Sequence, residues 1–168
     1  MAVTRDVILF RHGIAEDAAT RGVGDVDRRL TPEGEHRTGE AASGLAAWLD
    51  EPVLLVHSPL VRARQTAALV ADACHAPLQE LAALRPGSSA AELLAGLDGC
   101  NGDRTPIAVG HEPDLSGFIA AAVAGERASG FDMKKAAACR LSFPELRLGT
   151  ATLRWLLPPQ CLRALASN

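Results

Sequence analysis

The 168-residue chain predicts an α/β fold, a three-layer sandwich with a mainly parallel central sheet and helices on both faces. Two observations predict it. Short apolar runs alternate with longer segments of helical periodicity, which is the pattern of successive strand–helix units. Near the end, the pattern changes to two alternating runs, which predict an antiparallel pair added to the parallel sheet. Without a linker or an internal repeat, the sequence predicts one domain over residues 1–168.

The first strand is predicted from Val7 to Phe10, a run that is too short and too rich in β-favouring residues for a helix. It ends abruptly in Arg11–His12–Gly13. The next stretch, Ile14–Leu30, is polar and contains two glycines, so it is predicted to be a loop. This loop leaves the sheet beside the polar trio.

The first helix is predicted to open at Thr31–Pro32, because threonine caps helix N-termini and proline fits the first helical position. Its apolar residues recur at helical spacing, and Pro52 follows its end. Val53–Val56 then predicts a second strand. Ser58 is predicted to cap the next helix, which would begin at Pro59.

The remaining elements follow from similar signals. Ser89 and Glu92 form a capping-box pattern at the start of a helix, and a later helix is predicted to stop at Gly125. The other predicted elements are a short strand at Pro77–Leu81, a strand at Pro106–Val109, the antiparallel pair Ala137–Phe143 and Thr150–Leu156, and a short C-terminal helix.

Composition and charge exclude several function classes. The formal net charge is −3 and no basic run occurs, so we expect no nucleic-acid partner. No apolar stretch reaches the roughly 20 residues that span a bilayer, so we expect no membrane partner. The four cysteines lie far apart, and charged residues interrupt the N-terminus before any signal-peptide core. These features predict a cytoplasmic protein with reduced thiols and without a metal or cofactor.

Charged or polar side chains follow three of the predicted strands: Arg11–His12, Ser58 with Arg62, and His111. Taken singly, these could be a cationic loop, a solvated arginine and a histidine that satisfies its own turn. Because the carboxyl ends of parallel strands meet at one edge of a sheet, we expect the three groups to form one cleft. Two arginines and two histidines suit a phosphoryl group, with His12 as nucleophile and Arg11 and Arg62 on the phosphate.

Four motifs resemble the histidine phosphatase superfamily, the phosphoglycerate mutase-like group. They are Arg11–His12–Gly13, Leu30-Thr-x-x-Gly34, Ser58-Pro-x-x-Arg62-x-x-Gln65-Thr66 and Gly110–His111, and they cover most of the chain in the family's order. The resemblance implies a phosphoglycerate mutase-like fold, phosphorylation of His12, and a phosphate pocket of Arg11, Arg62 and His111. We expect His111 to be protonated there.

The chain departs from that family at the general acid. Many members carry glutamate in a Leu-Arg-Glu segment, where this chain has Leu84–Arg85–Pro86. The proline and the short chain look like the bacterial phosphohistidine phosphatase branch, which acts in signalling. Imidazole is a good leaving group once protonated, so phosphohistidine needs no dedicated acid. We therefore expect a phosphohistidine protein as substrate and partner.

Three alternatives remain open. Glu112 follows the second histidine and could act as acid in a phosphomonoesterase for a small sugar or nucleotide phosphate. At a helix N-terminus, the same glutamate could instead only stabilise the helix dipole. A mutase is less expected, because the acid and the insertions are missing. The last alternative is a phosphoprotein-binding module without catalysis.

Overall fold

The computed structural model describes residues 4–100, 102–125 and 130–167. Within them lie six strands and six α-helices, with short 3-10 helices at Asp25–Asp27 and Ala82–Leu84. The strands are β1 (Arg5–Arg11), β2 (Val53–His57), β3 (Leu78–Glu80), β4 (Thr105–Gly110), β5 (Ala138–Phe143) and β6 (Thr152–Leu157). The helices are α1 (Ala18–Arg21), α2 (Pro32–Trp48), α3 (Val61–Cys74), α4 (Ala90–Asp98), α5 (Asp114–Ala124) and α6 (Pro159–Leu165).

The six strands form one sheet in the order β3-β2-β4-β1-β5-β6. The first four strands are mutually parallel, and β5 and β6 run antiparallel to their neighbours. Alternate residues of β1 face opposite layers: Val7 and Leu9 pack toward α4 and α5, whereas Ile8 and Phe10 pack toward α2, α3 and α6. The predicted three-layer α/β sandwich is confirmed.

The helices begin and end largely where the sequence signals predict. Thr31 accepts a hydrogen bond from the Gly34 N–H, and Ser89 with Glu92 completes the capping box. Gly125 ends α5 in the left-handed conformation, at φ 75°. Among the described helices, none is both long and apolar enough to cross a membrane.

Two predictions about local structure are wrong. The helix expected from Pro59 begins at Val61, and Ser58 does not cap it. Instead, the Ser58 hydroxyl accepts a weak bond from the Leu60 N–H at 3.3 Å and contacts another part of the chain. The segment Ile14–Leu30 is also more ordered than a plain loop, because it contains α1 and the 3-10 helix at Asp25–Asp27.

Candidate active site

Backbone hydrogen bonds bring three strand ends together at one edge of the sheet. The His12 N–H donates to the Gly110 carbonyl at 3.1 Å, and the Ser58 N–H donates to the Val109 carbonyl at 3.1 Å. Arg11 is in register with Gly110 on the neighbouring parallel strand. The residues after β1, β2 and β4 are therefore adjacent, as the parallel arrangement predicts.

The glycine after His12 is required by close packing. A Cβ on Gly13 would lie 2.1 Å from the hydroxyl oxygen of Thr38 on α2. The Gly13 N–H donates to the Thr66 hydroxyl at 3.0 Å, and that hydroxyl donates to the Arg62 carbonyl at 2.8 Å. These contacts fix the turn after β1 against the first turns of α3.

His12 has a defined tautomer. Its Nδ1 lies 2.8 Å from the Gly13 carbonyl oxygen, which can only accept, so Nδ1 carries the proton. The lone pair is therefore on Nε2, which accepts a bond from the Arg62 Nε–H at 3.3 Å. Burial, together with the nearby His111, Arg62 and Arg11, lowers the pKa of His12 to about 3. Neutral imidazole with one unprotonated ring nitrogen is the form that a nucleophile needs.

Arg62 lies in the first turn of α3 and is 5% exposed. The interpretation of a solvated arginine therefore does not hold. Besides His12, its guanidinium contacts Asp25: Nη1 donates to the Asp25 carbonyl at 2.7 Å, and Nη2 donates to the carboxylate at 3.2 Å. Arg62 thus links the nucleophile to the 3-10 helix of the Ile14–Leu30 segment.

His111 follows β4 and is 3% exposed. Its ring lies 5.1 Å from that of His12, between centroids, and its Nε2 is 2.8 Å from the Ser58 hydroxyl. Burial and the charge of Arg62 lower the pKa of His111 to about 4, against an opposing effect of Asp25. In the free site the imidazole of His111 is therefore neutral near pH 7, and the expected protonated form concerns the site with phosphate bound.

Arg11 is half-buried at the end of β1. Its Nη1 donates to the Met133 carbonyl at 2.7 Å, whereas its Nε is buried without a hydrogen-bond partner among the described residues. Nδ1 of His111 is a second buried polar atom of this kind. Buried polar groups normally have partners, so two unpartnered nitrogens beside His12 indicate a place for an oxygen-rich ligand.

Glu112 begins the turn into α5 and is only partly buried. Its Oε2 accepts a hydrogen bond from the Ser116 hydroxyl, and its Oε1 is buried without a partner in the described part of the chain. The structure records no hydrogen bond or ion pair between Glu112 and the other four predicted site residues. The bond to Ser116 ties the Glu112 carboxylate to the first turn of α5.

Sequence reasoning missed Asp25 and the pairing of Ser58 with His111. Asp25 lies in the segment predicted to be a loop, and its carboxylate also accepts from Arg28 Nη1 at 2.9 Å. Hydrogen bonds from Arg28 and Arg62 hold the pKa of Asp25 below its ordinary value. The only sequence signal was an acidic residue close to two arginines, which is common on surfaces.

The described residues contain no group of three or more histidine, cysteine, aspartate or glutamate side chains that could hold a metal ion. The groups around His12 are mainly arginines, imidazoles and backbone groups, with the Asp25 carboxylate on Arg62. Arginines and imidazoles are groups that can hold an oxyanion.

Comparisons with known proteins agree with this geometry. The family model of the histidine phosphatase superfamily (branch 1) matches residues 7–86. An uncharacterized protein of Picosynechococcus sp. is 34% identical over 165 residues, which cover 91% of this chain and 99% of that protein.

Solved structures show the same fold. A putative phosphohistidine phosphatase SixA from Nakamurella multipartitia is 26% identical, with a TM-score of 0.79, and the match covers 94% of this chain and 98% of that one. A protein histidine phosphatase SixA complexed with tungstate is 27% identical with the same TM-score, over 94% and 99% of the two chains. A mycobacterial glucosyl-3-phosphoglycerate phosphatase shares the fold at 20% identity, with a TM-score of 0.71 over 93% and 100%.

Proposed function

The chain belongs to the histidine phosphatase superfamily, and from that premise we propose that it removes the phosphoryl group from phosphohistidine in a protein through a phospho-His12 intermediate. The observation that carries this proposal is that His12 is neutral, with its proton on Nδ1. Its Nε2 holds a lone pair, and Arg62 approaches that nitrogen at 3.3 Å. The similarity to SixA proteins supports the choice of substrate class.

The reaction has two displacements. In the first, His12 Nε2 forms a bond to phosphorus while the bond from phosphorus to the substrate imidazole breaks, and that imidazole leaves as a neutral group after taking a proton from solvent. In the second, water forms a bond to phosphorus, the bond to His12 breaks, and inorganic phosphate leaves. Arg11, Arg62 and His111 stabilise the equatorial oxygens in both steps.

The protonation of His111 changes along this path. Its pKa of about 4 describes the free site, where burial and the charges of two arginines oppose a further positive charge. A phosphoryl dianion reverses that local balance, because an opposite charge nearby favours the charged form of an imidazole. His111 then takes up a proton with the substrate and donates a hydrogen bond to an equatorial oxygen.

A small-molecule phosphomonoesterase is the second candidate. It is favoured by one observation, the buried and unpartnered Oε1 of Glu112. An alkoxide is a strong base and needs a proton donor in the site when it leaves, whereas phosphoimidazole can take its proton from solvent beforehand. The two candidates therefore differ in how much they depend on Glu112.

The test compares substrates and traps the intermediate. We expect turnover of phosphoimidazole and of a phosphohistidine peptide to exceed that of sugar and nucleotide monophosphates, and we expect Glu112→Gln to change the former by less than threefold. Phosphoenzyme should be recovered in alkaline denaturant from the native protein and be absent from His12→Ala. Turnover by His12→Ala would contradict the mechanism. A preference for monoesters, together with loss of activity in Glu112→Gln, would favour the second candidate. Binding of the phosphohistidine peptide without turnover would indicate a binding module.

A further inference from the structure

A basic groove opens beside the proposed phosphate pocket, next to Arg11. It has a volume of about 610 Å³ and lies between the end of β1, α2, α6 and the segment before β5. Its charged lining residues are all cations, and they come from four separate parts of the chain: Arg11, Arg37, Lys134, Lys135 and Arg163.

The groove is continuous with the pocket through Arg11, which belongs to both. The segment that carries the lysines is held against the same strand end, because the Ala136 N–H donates to the carbonyls of Arg11 at 3.1 Å and His12 at 3.3 Å. A chain segment attached to a phosphorylated side chain in the pocket could therefore continue directly into the groove.

Positive charge is concentrated in this groove, although the chain as a whole is negatively charged. The formal net charge of the whole chain is −3, yet its only two lysines, Lys134 and Lys135, both line this groove. Acidic side chains lie around it but not in its lining. Glu33 pairs with Arg37 at 2.8 Å, Asp132 pairs with Lys134 at 2.7 Å, and Glu40 lies 4.0 Å from Arg163.

These ion pairs are exposed or partly exposed, so each contributes little and exchanges readily for another carboxylate. Lys135 forms no ion pair that the structure records. Two buried polar atoms of lining residues have no hydrogen-bond partner within residues 4–100, 102–125 and 130–167: the Nε of Arg11 and the hydroxyl of Thr38, which is 1% exposed. A buried hydroxyl without a partner is an unmet donor for an incoming oxygen.

From this arrangement we propose that the groove binds an acidic segment flanking the phosphohistidine of a protein substrate. The proposal rests on the function proposed above and adds a partner surface to it. Cations spread along an open groove suit several carboxylates in a row, whereas a single small anion requires donors that converge on one point. The chain thus recognises the phosphoryl group in the pocket and the acidity of its surroundings in the groove.

The test uses two synthetic phosphohistidine peptides of equal length, one flanked by glutamates and one by glutamines. We expect the native protein to prefer the acidic peptide at least fivefold in kcat/KM at low salt, and we expect salt to erase this preference. K134Q/K135Q should reduce the ratio to near one. The control R104Q/R147Q lowers the formal net charge by the same two units at the opposite edge of the sheet and should keep the preference.

Phosphoimidazole separates this proposal from the proposed function. It has no flanking segment, so both double variants should hydrolyse it within twofold of the native rate. Failure of the native protein to hydrolyse phosphoimidazole would count against the proposed function alone. No preference for the acidic peptide, or a preference that survives K134Q/K135Q, would overturn the groove proposal.

Carbodiimide cross-linking provides a readout that needs no turnover. It joins carboxylates to amines without a spacer, and the chain offers Lys134, Lys135 and its terminal amine as targets. With an unphosphorylated acidic peptide, we expect the amide bonds to map to the two lysines by mass spectrometry, and we expect the R104Q/R147Q variant to give the same map. Cross-links only at the terminal amine, or none, would contradict docking in the groove.

Discussion

Asp25 is the anion that Arg62 contacts in this structure. Its carbonyl and carboxylate take the outer nitrogens of the guanidinium, while Nε faces His12. The Asp25 side chain is largely exposed, whereas that of Arg62 is buried. A buried arginine needs a compensating anion, and a phosphoryl group that enters the pocket brings a second one. The two anions therefore compete for the same cation.

We expect Asp25→Asn to tighten the binding of inorganic phosphate or tungstate about two- to fivefold. This factor corresponds to about 0.4–1 kcal/mol, the upper part of the range for partly exposed ion pairs. Titration calorimetry measures the change. Asp27→Asn removes the same charge from the same 3-10 helix without a recorded contact to Arg62, and should alter the affinity less than twofold. Weaker binding in Asp25→Asn would instead indicate that the carboxylate mainly holds Arg62 in place.

At the scale of elements, α2 packs unusually close to the chain that leaves β1. A Cβ on Gly34 would lie 2.0 Å from the Ile14 carbonyl oxygen, and the Thr31 N–H donates to that same carbonyl at 3.0 Å. Gly34 is thus the position at which the helix approaches the segment carrying Gly13 and His12. The close approach of Gly34 to the Ile14 carbonyl explains why the motif Leu30-Thr-x-x-Gly34 has glycine at its last position.

We expect Gly34→Ala to destabilise the protein by about 1–3 kcal/mol, because the added methyl group must displace backbone. Gly39→Ala on the same helix is the matched control. A Cβ there meets nothing within 4 Å, and alanine favours a helix interior by about 0.5–1 kcal/mol. Urea denaturation of both variants compares these effects. Equal stability of the two variants would show that α2 can shift without cost.

The elements that the sequence predicted best are those with a repeating pattern. The apolar runs that became β1, β2 and β4, and the capping box before α4, depend on local physics alone. The start of α3 was predicted wrongly because the Ser58 hydroxyl, a good cap by composition, lies 2.8 Å from Nε2 of His111 instead. His111 directly follows β4 and is 53 residues away along the chain. Local propensity cannot anticipate a partner that tertiary packing supplies.

In the candidate site, as in the fold, the sequence predicted the residues at strand ends but not those in irregular segments. The expected neighbours His12, Arg62 and His111 do meet, because parallel strand ends converge whatever the loops do. Asp25 and the Met133 carbonyl come from irregular segments whose course depends on packing, so no pattern pointed to them. The neutral state of His111 also depends on burial, which only the assembled structure defines.

At the scale of the whole molecule, two buried neutral histidines couple folding to pH. The pKa values of His12 and His111 are lowered from 6.5 to about 3 and about 4. Between pH 6.5 and 4, the unfolded chain therefore binds protons that the folded chain does not. The free energy of unfolding should fall in that interval, as the pH is lowered, by up to about 1.4 kcal/mol per pH unit for each histidine.

Urea denaturation between pH 7.5 and 4.5 measures this slope. We expect His12→Asn to reduce it by up to about 1.4 kcal/mol per pH unit, because the variant has one fewer histidine to protonate on unfolding. His36→Asn is the control. The His36 side chain is 75% exposed, so this variant controls for the loss of one imidazole outside the buried pair. The same slope in His12→Asn as in the native protein would mean that His12 titrates normally when folded.

The site draws on residues 11–12, 25, 62 and 111, and these meet only where β1, β2 and β4 lie side by side. A partly folded chain that lacks any one of these strands does not bring these residues together, so we expect an oxyanion to bind the completed fold and not its precursors. By mass action, a free tungstate concentration of 100 times its dissociation constant would stabilise the native state by about 2.7 kcal/mol. The amount of tungstate bound at saturation would therefore measure the fraction of molecules that have folded completely.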